Sequence, residues 1–130
     1  MRQREVFIGD ASVTIDGTVT ANPSTVTLTT ATGTAASSGD NTLVAAPSAG
    51  NRLVVYDLQI QNESSTATTC LIKSGSTTRR RFYAAAAGDG ILLQFAPGRE
   101  FRLAEAEALV LNLSGANSHG YTVRYATEAV

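Results

Sequence analysis

The stretch Val54-Val55-Tyr56-Asp57-Leu58-Gln59-Ile60-Gln61 decides the fold class. Val54, Tyr56, Leu58 and Ile60 alternate with Val55, Asp57, Gln59 and Gln61, the period of a β-strand that buries one face. The pattern returns on the C-terminal side. Leu109, Leu111 and Leu113 alternate with Val110, Asn112 and Ser114 until Gly115, and Tyr121, Val123 and Tyr125 alternate with Thr122, Arg124 and Ala126. Shorter extended candidates are Leu43–Ala46, Cys70 with Ile72, Arg79–Tyr83, Ile91–Phe95 and Glu100–Leu103. Turn-forming clusters separate them at Asn62–Thr66, Ser74-Gly75-Ser76, Gly88-Asp89-Gly90 and Pro97-Gly98. About eight short strands punctuated in this way predict an antiparallel sandwich or barrel. One segment competes: Phe101, Ala104, Ala108 and Leu111 fall on one helical face. The alternation ending at Gly115 favours a turn at Ala104–Glu107 followed by a strand. Ala84–Ala87 is too short, before Gly88, for more than one helical turn.

The chain has two textures. In residues 1–40 the apolar residues are few: Val13 and Ile15 alternate with Ser12, Thr14 and Asp16, and Val26 and Leu28 with Thr25, Thr27 and Thr29. Such thin-faced strands do not make a core of their own and need another surface. Residues 31–42, rich in Ala, Thr, Ser and Gly, read as a flexible connector. The expectation is an extended Thr-rich arm and connector over 1–40 and a sandwich over 41–130.

Composition narrows the chemistry. The 130 residues are 43% hydrophobic and only 16% charged, with ten Lys and Arg against eleven Asp and Glu. That length suits one domain burying roughly two-thirds of its unfolded surface. Low charge with ample apolar content argues against disorder and against a charge-rich helix bundle. One Cys and one His exclude a disulfide framework within the chain and a Cys/His zinc site. A net charge of −1 gives no bulk attraction to nucleic acid or acidic lipid. The first ten residues lack the apolar centre of a signal peptide, and no apolar run approaches the ~20 residues of a membrane span. The expectation is a protein made in the cytoplasm, binding neither nucleic acid nor membrane.

No catalytic, metal or cofactor site emerges from the motifs. Arg79-Arg80-Arg81 is the only charge run; on a regular strand Arg80 points opposite to its neighbours, so the run reads first as an edge strand blunted by charge, and second as an ion-pairing contact for a protein partner. Arg2, Arg4 and Phe7 are further candidate partner contacts near the N-terminus. His119, in Ser118-His119-Gly120, reads as an exposed turn residue, and no Gly-x-Ser-x-Gly elbow accompanies it. Cys70, in phase with Ile72, reads as a buried small hydrophobe. Glu105 and Glu107 read as solvated turn carboxylates. Lys73-Ser74-Gly75-Ser76 lacks the spacing of a phosphate loop. With no Trp, and with Tyr56, Tyr121 and Tyr125 in the inward phase, no aromatic sugar platform is expected.

The body resembles small jelly-roll virion proteins of tailed bacteriophages. The resemblance is carried by Asn41-Thr-Leu-Val-Ala-Ala-Pro-Ser-Ala-Gly-Asn-Arg-Leu-Val-Val-Tyr56, Leu71-Ile-Lys-Ser-Gly-Ser-Thr77, Leu92-Leu-Gln-Phe-Ala-Pro-Gly98, Glu107-Ala-Leu-Val-Leu-Asn-Leu-Ser-Gly115 and Tyr121-Thr-Val-Arg-Tyr125. It spans about 90 residues. The segment Val13-Thr-Ile-Asp-Gly-Thr-Val-Thr20 is similar to threads that precede phage fibre and capsid-binding modules. The resemblance implies an eight-stranded antiparallel jelly-roll-like β-sandwich behind an N-terminal β arm. It further implies a homotrimer in the virion that contacts the major capsid protein or other virion proteins. The role implied is a capsid decoration (cement) protein, or alternatively a tail-fibre or baseplate module that binds a host receptor.

Overall fold

The computed structural model describes residues 26–130. The arm strand around Val13 and Ile15 and the candidate contacts Arg2, Arg4 and Phe7 lie outside the described residues. Among the described residues there are nine strands and no helix: β1 (Thr29–Ala35), β2 (Gly39–Val44), β3 (Asn51–Asn62), β4 (Thr68–Ser74), β5 (Thr77–Ala84), β6 (Gly90–Gln94), β7 (Phe101–Arg102), β8 (Leu109–Leu113) and β9 (His119–Ala129). One sheet has the order β1-β9-β3-β6, with β7 taking over the β6 edge of β3; the other has the order β2-β8-β4-β5. Every pairing is antiparallel.

The sheets face each other as a β-sandwich. Leu53, Val55, Leu58, Ile60 and Val123 come from the first, and Cys70, Ile72, Leu109, Leu111 and Leu113 from the second. All ten are at most 2% exposed. The alternation read in β8 holds: Leu109, Leu111 and Leu113 point inward opposite Ser74, Ile72 and Cys70 of β4. The turn expected at Ala104–Glu107 also forms, closed by the Glu107 N–H donating to the Ala104 carbonyl at 3.3 Å. Ala106 within it has φ 57° and donates its N–H to Asn51 at 2.8 Å.

Two expectations are corrected. The connector at residues 31–42 is instead β1 and the start of β2, so the sandwich begins at Thr29 rather than near Asn41, and no strand forms around Val26 and Leu28. β1 buries only small side chains: Ala31, Gly33 and Ala35 lie opposite Val123, Tyr121 and His119 of β9. A Cβ at Gly33 would come within 2.9 Å of the Tyr121 hydroxyl, so the glycine makes room for the ring. The second correction concerns β3. Arg124 pairs with Asp57 but Tyr125 pairs with Val55, which leaves Tyr56 as the extra residue of a β-bulge. The bulge flips the phase: Leu53 and Val55 face the core below it, Leu58 and Ile60 above it, and Tyr56 is only half-buried.

Candidate functional site

Among the described residues β5 is the outer strand of the second sheet, and Arg79-Arg80-Arg81 sits in it. The expected alternation of the three side chains fails because β5 carries its own bulge. Ile72 of β4 pairs with Arg80 and the adjacent Lys73 pairs with Thr78, so Arg79 is the inserted residue. Arg80 therefore emerges on the side of Ile72, toward the space between the sheets, and stacks over the Phe95 ring at 5.9 Å. Arg79 lies over the Phe101 ring at 4.7 Å and donates from Nη1 to the Arg102 carbonyl at 3.2 Å. The two rings are 5.8 Å apart and tilted by 30°. The arginines thus cap an aromatic pair at the open side of the sandwich, held by cation–π attraction as well as by their apolar stems. Arg81, opposite Leu71, belongs to the outer face of the sheet, as does the neighbouring Tyr83, which is 65% exposed. Among the described residues, no carboxylate forms an ion pair with any of the three.

Next to this edge, Val26, Leu28, Tyr56, Phe95, Pro97 and Glu100 line a groove of about 250 Å³. Val26 and Leu28 remain more than 40% exposed. The neighbouring arginine is fully engaged: Arg102 bridges Glu100 at 3.2 Å and Glu128 at 3.1 Å, and Glu128 also receives Arg52 at 2.6 Å. Burial works to raise the Glu128 carboxyl, but hydrogen bonds from Arg52 and Arg102 outweigh it and hold the group below the usual carboxylate range. At Glu100, the backbone N–H groups of Glu100 itself and of Gly98 lower the carboxyl, with Arg102 adding to the effect.

His119 is not an exposed turn residue: it is fully buried as the first residue of β9, between Ala35 and Asn62. Its Nδ1 lies 2.8 Å from the Asn117 carbonyl, which only accepts, so Nδ1 carries the proton and Nε2 is left to accept the Cys70 thiol hydrogen at 3.5 Å. Cys70 is buried, as its phase with Ile72 led one to expect, and burial pushes its thiol up to about 11. A neutral thiol sealed from solvent is the opposite of an activated nucleophile. Asn62 and Thr68 complete this buried polar end. Asn62 donates to the Thr66 carbonyl at 2.9 Å and accepts from Ser64, while Thr68 accepts from Asn117 at 2.9 Å. Glu107 is likewise more than a solvated turn residue, since it accepts from the buried Ser74 hydroxyl at 2.7 Å.

The outer face of the first sheet, which the sequence reading passed over, divides into a charged end, where Arg52 and Arg102 pair with Glu128, and a stretch poor in charge. Register places Thr30, Thr32, Thr34, Thr122, Gln59, Gln61, Leu92 and Gln94 on that stretch, around the Asp57–Arg124 pair and beside Glu63. Leu92 is 60% exposed in its midst. Its visible signal was the period of two in Gln59-Ile60-Gln61 and Leu92-Leu93-Gln94. Among the described residues no group of three His, Cys, Asp or Glu is placed to hold a metal ion, and no helix is long and apolar enough to cross a membrane. The chain matches no known protein family, no curated protein and no solved structure.

Proposed function

We propose that this chain is a structural virion protein of a tailed bacteriophage, a trimeric capsid decoration protein whose sandwich is of the jelly-roll type. The observation that carries the reading is the strand order. With β6 and β7 counted as one interrupted strand, β1-β9-β3-β6 facing β2-β8-β4-β5 is the order that two interlocked Greek keys produce, an architecture used widely in viral shells. The charge-poor stretch of the outer face of the first sheet supports it further, because the cores of protein interfaces are depleted of charge. Its exposed Leu92, ringed by Thr and Gln, is the natural anchor for a neighbouring subunit or the major capsid protein. In this reading the first residues of the chain, with Arg2, Arg4 and Phe7, contact the shell. The protein acts by adding buried area across subunit joints rather than by chemistry.

Counting copies in purified particles by quantitative mass spectrometry tests the assignment. Hundreds of copies per particle are expected. A few to a few dozen copies point instead to the tail-fibre or baseplate role, and absence from particles overturns both. Sedimentation of the free protein is expected to give three times the 13.5 kDa chain mass.

A further inference from the structure

We propose that Lys73 and Asn112 react to form an amide bond between β4 and β8, with Asp40 of β2 as the catalytic residue. The proposal stands independently of the virion reading. Three neighbouring strands bring these residues together on the outer face of the second sheet. Asp40 lies opposite Asn112, Asn112 lies opposite Leu71, and Lys73 is two residues further along β4, opposite Val110. A diagonal pair of this kind is within reach of a long side chain. One carboxylate joins them. Asp40 Oδ1 accepts from Lys73 Nζ at 3.0 Å and from Asn112 Nδ2 at 2.6 Å, and Oδ2 accepts from Nζ at 3.2 Å. The attacking nitrogen and the leaving nitrogen therefore meet on the same oxygen. The Lys73 side chain is only 13% exposed and Val110 opposite it 6%, which holds the amine in place; the Asp40 side chain is 53% exposed, which leaves ammonia a way out.

The order of proton transfers follows from this contact. In the resting ion pair Lys73 is an ammonium and Asp40 a carboxylate, held below the usual carboxylate range by the bonds from Asn112 and Lys73. An ammonium cannot attack, so Asp40 first takes one proton from Nζ. The neutral amine then adds to Asn112 Cγ. The Cγ–Nδ2 bond breaks as a second proton passes from Nζ to Nδ2, and the departing ammonia takes the proton held by Asp40 and leaves as ammonium. One C–N bond forms and one breaks, two protons move from Nζ to Nδ2, and no oxidant or further reactant is consumed. The first transfer works against the ion pair, so the reaction is slow and quickens in mildly alkaline buffer. Among the described residues the other charged group on this part of the face is Arg81 of β5, opposite Leu71, whose charge favours the neutral amine. The product closes residues 74–111 into a loop that persists in the unfolded chain and restricts its entropy.

Intact-mass measurement of the full chain, incubated in mildly alkaline buffer, tests this. The wild type is expected to become lighter by one ammonia, and trypsin to release residues 53–79 joined to residues 103–124 with Lys73 uncut. Asp40→Asn is expected to slow the loss by about 10²–10⁴-fold, the usual share of a general acid–base group. Lys73→Arg keeps a cation for Asp40 but no nucleophile, and is expected to hold its full mass. If circular dichroism shows either variant unfolded, the joined peptide of the wild type alone decides. A wild type that keeps its full sequence mass overturns the proposal. So does ammonia loss that persists in Lys73→Arg, which places the loss in backbone cyclisation at an asparagine, and so does a folded Asp40→Asn that reacts at the wild-type rate.

Discussion

Deleting Tyr56 tests the bulge in β3. Tyr56 is the one residue of the strand that has no counterpart on β9, where Arg124 and Tyr125 take Asp57 and Val55. Its removal leaves Leu53, Val55, Leu58, Ile60 and Asn62 on the core side in unbroken alternation. The losses are local. The Phe95 N–H gives up its 3.3 Å bond to the Tyr56 carbonyl, and a half-buried ring leaves the groove wall. A hydrogen bond of ~1 kcal/mol and partial burial of an aromatic side chain, ~1–2 kcal/mol, sum to about 2–3 kcal/mol. Deleting a residue that lies in unbroken register does the opposite: with Ile60 held in place, removal of Gln59 turns Leu58, Val55 and Leu53 out of the core and Arg52 into it. That costs ~4.5–9 kcal/mol for the three apolar groups alone, before the penalty for a buried guanidinium, and would exhaust the ~5–15 kcal/mol stability of a domain of this size. Deleting Gln59, which sits in unbroken register between Thr122 and Leu92, is the control and is expected to abolish folding. Urea unfolding followed by far-ultraviolet circular dichroism separates the cases: a cooperative transition at a lower midpoint with an unchanged slope is expected for the Tyr56 deletion. A Tyr56 deletion as unfolded as the Gln59 deletion refutes the bulge.

Gly90→Ala is expected to destabilise by about 2–4 kcal/mol, because a Cβ there runs into the backbone of Ile60 and Gln61, whereas at Gly120 the obstacle is the movable end of Glu63 and Gly120→Ala is expected to cost under about 1 kcal/mol; chemical denaturation of the two variants checks the contrast. Cys70 has its thiol raised in the folded state to about 11 from 9.0, so the stability it contributes is complete below pH 9 and is lost as pH climbs toward 11, at about 1.4 kcal/mol per unit. Melting temperatures over that range should fall in the wild type and flatten in Cys70→Ala. Glu128, lowered by Arg52 and Arg102, contributes stability present above the ordinary carboxylate range and lost as pH falls through its folded value. Glu128→Gln is expected to cost about 1 kcal/mol at pH 7, since the pair is partly exposed, and to be less sensitive to acid than the wild type in the same melts.

The all-β class, the two long strands β3 and β9 and the leucine strand β8 were legible in the sequence because each buries large side chains at a period of two. β1 was not, since its inward residues are Ala31, Gly33 and Ala35 and the volume they leave is filled by Tyr121 from the neighbouring strand. His119 was misread for a related reason. Ser118 and Gly120 make it look like a loop tip, but the groups that satisfy it, Cys70 and the Asn117 carbonyl, are supplied by the fold.

The remaining differences share one cause. β2, β3 and β5 each hold one extra residue, at Leu43, Tyr56 and Arg79. A bulge changes which face a side chain takes without changing composition, so it is silent wherever neighbours suit either face. Leu53-Val54-Val55 is apolar throughout, and Arg79-Arg80-Arg81 is cationic throughout; a slip by one residue leaves no mark in either run. In β3 the consequence is a repacked core. In β5 it is the candidate site itself, because only the inserted Arg79 lets two adjacent arginines turn the same way and cover Phe101 and Phe95 together. Without it the run would be three charges split between two faces of an edge. With it, the strand has a cationic rim of Arg79 and Arg80 on the side of the aromatic pair and a separate cation, Arg81, on the other face.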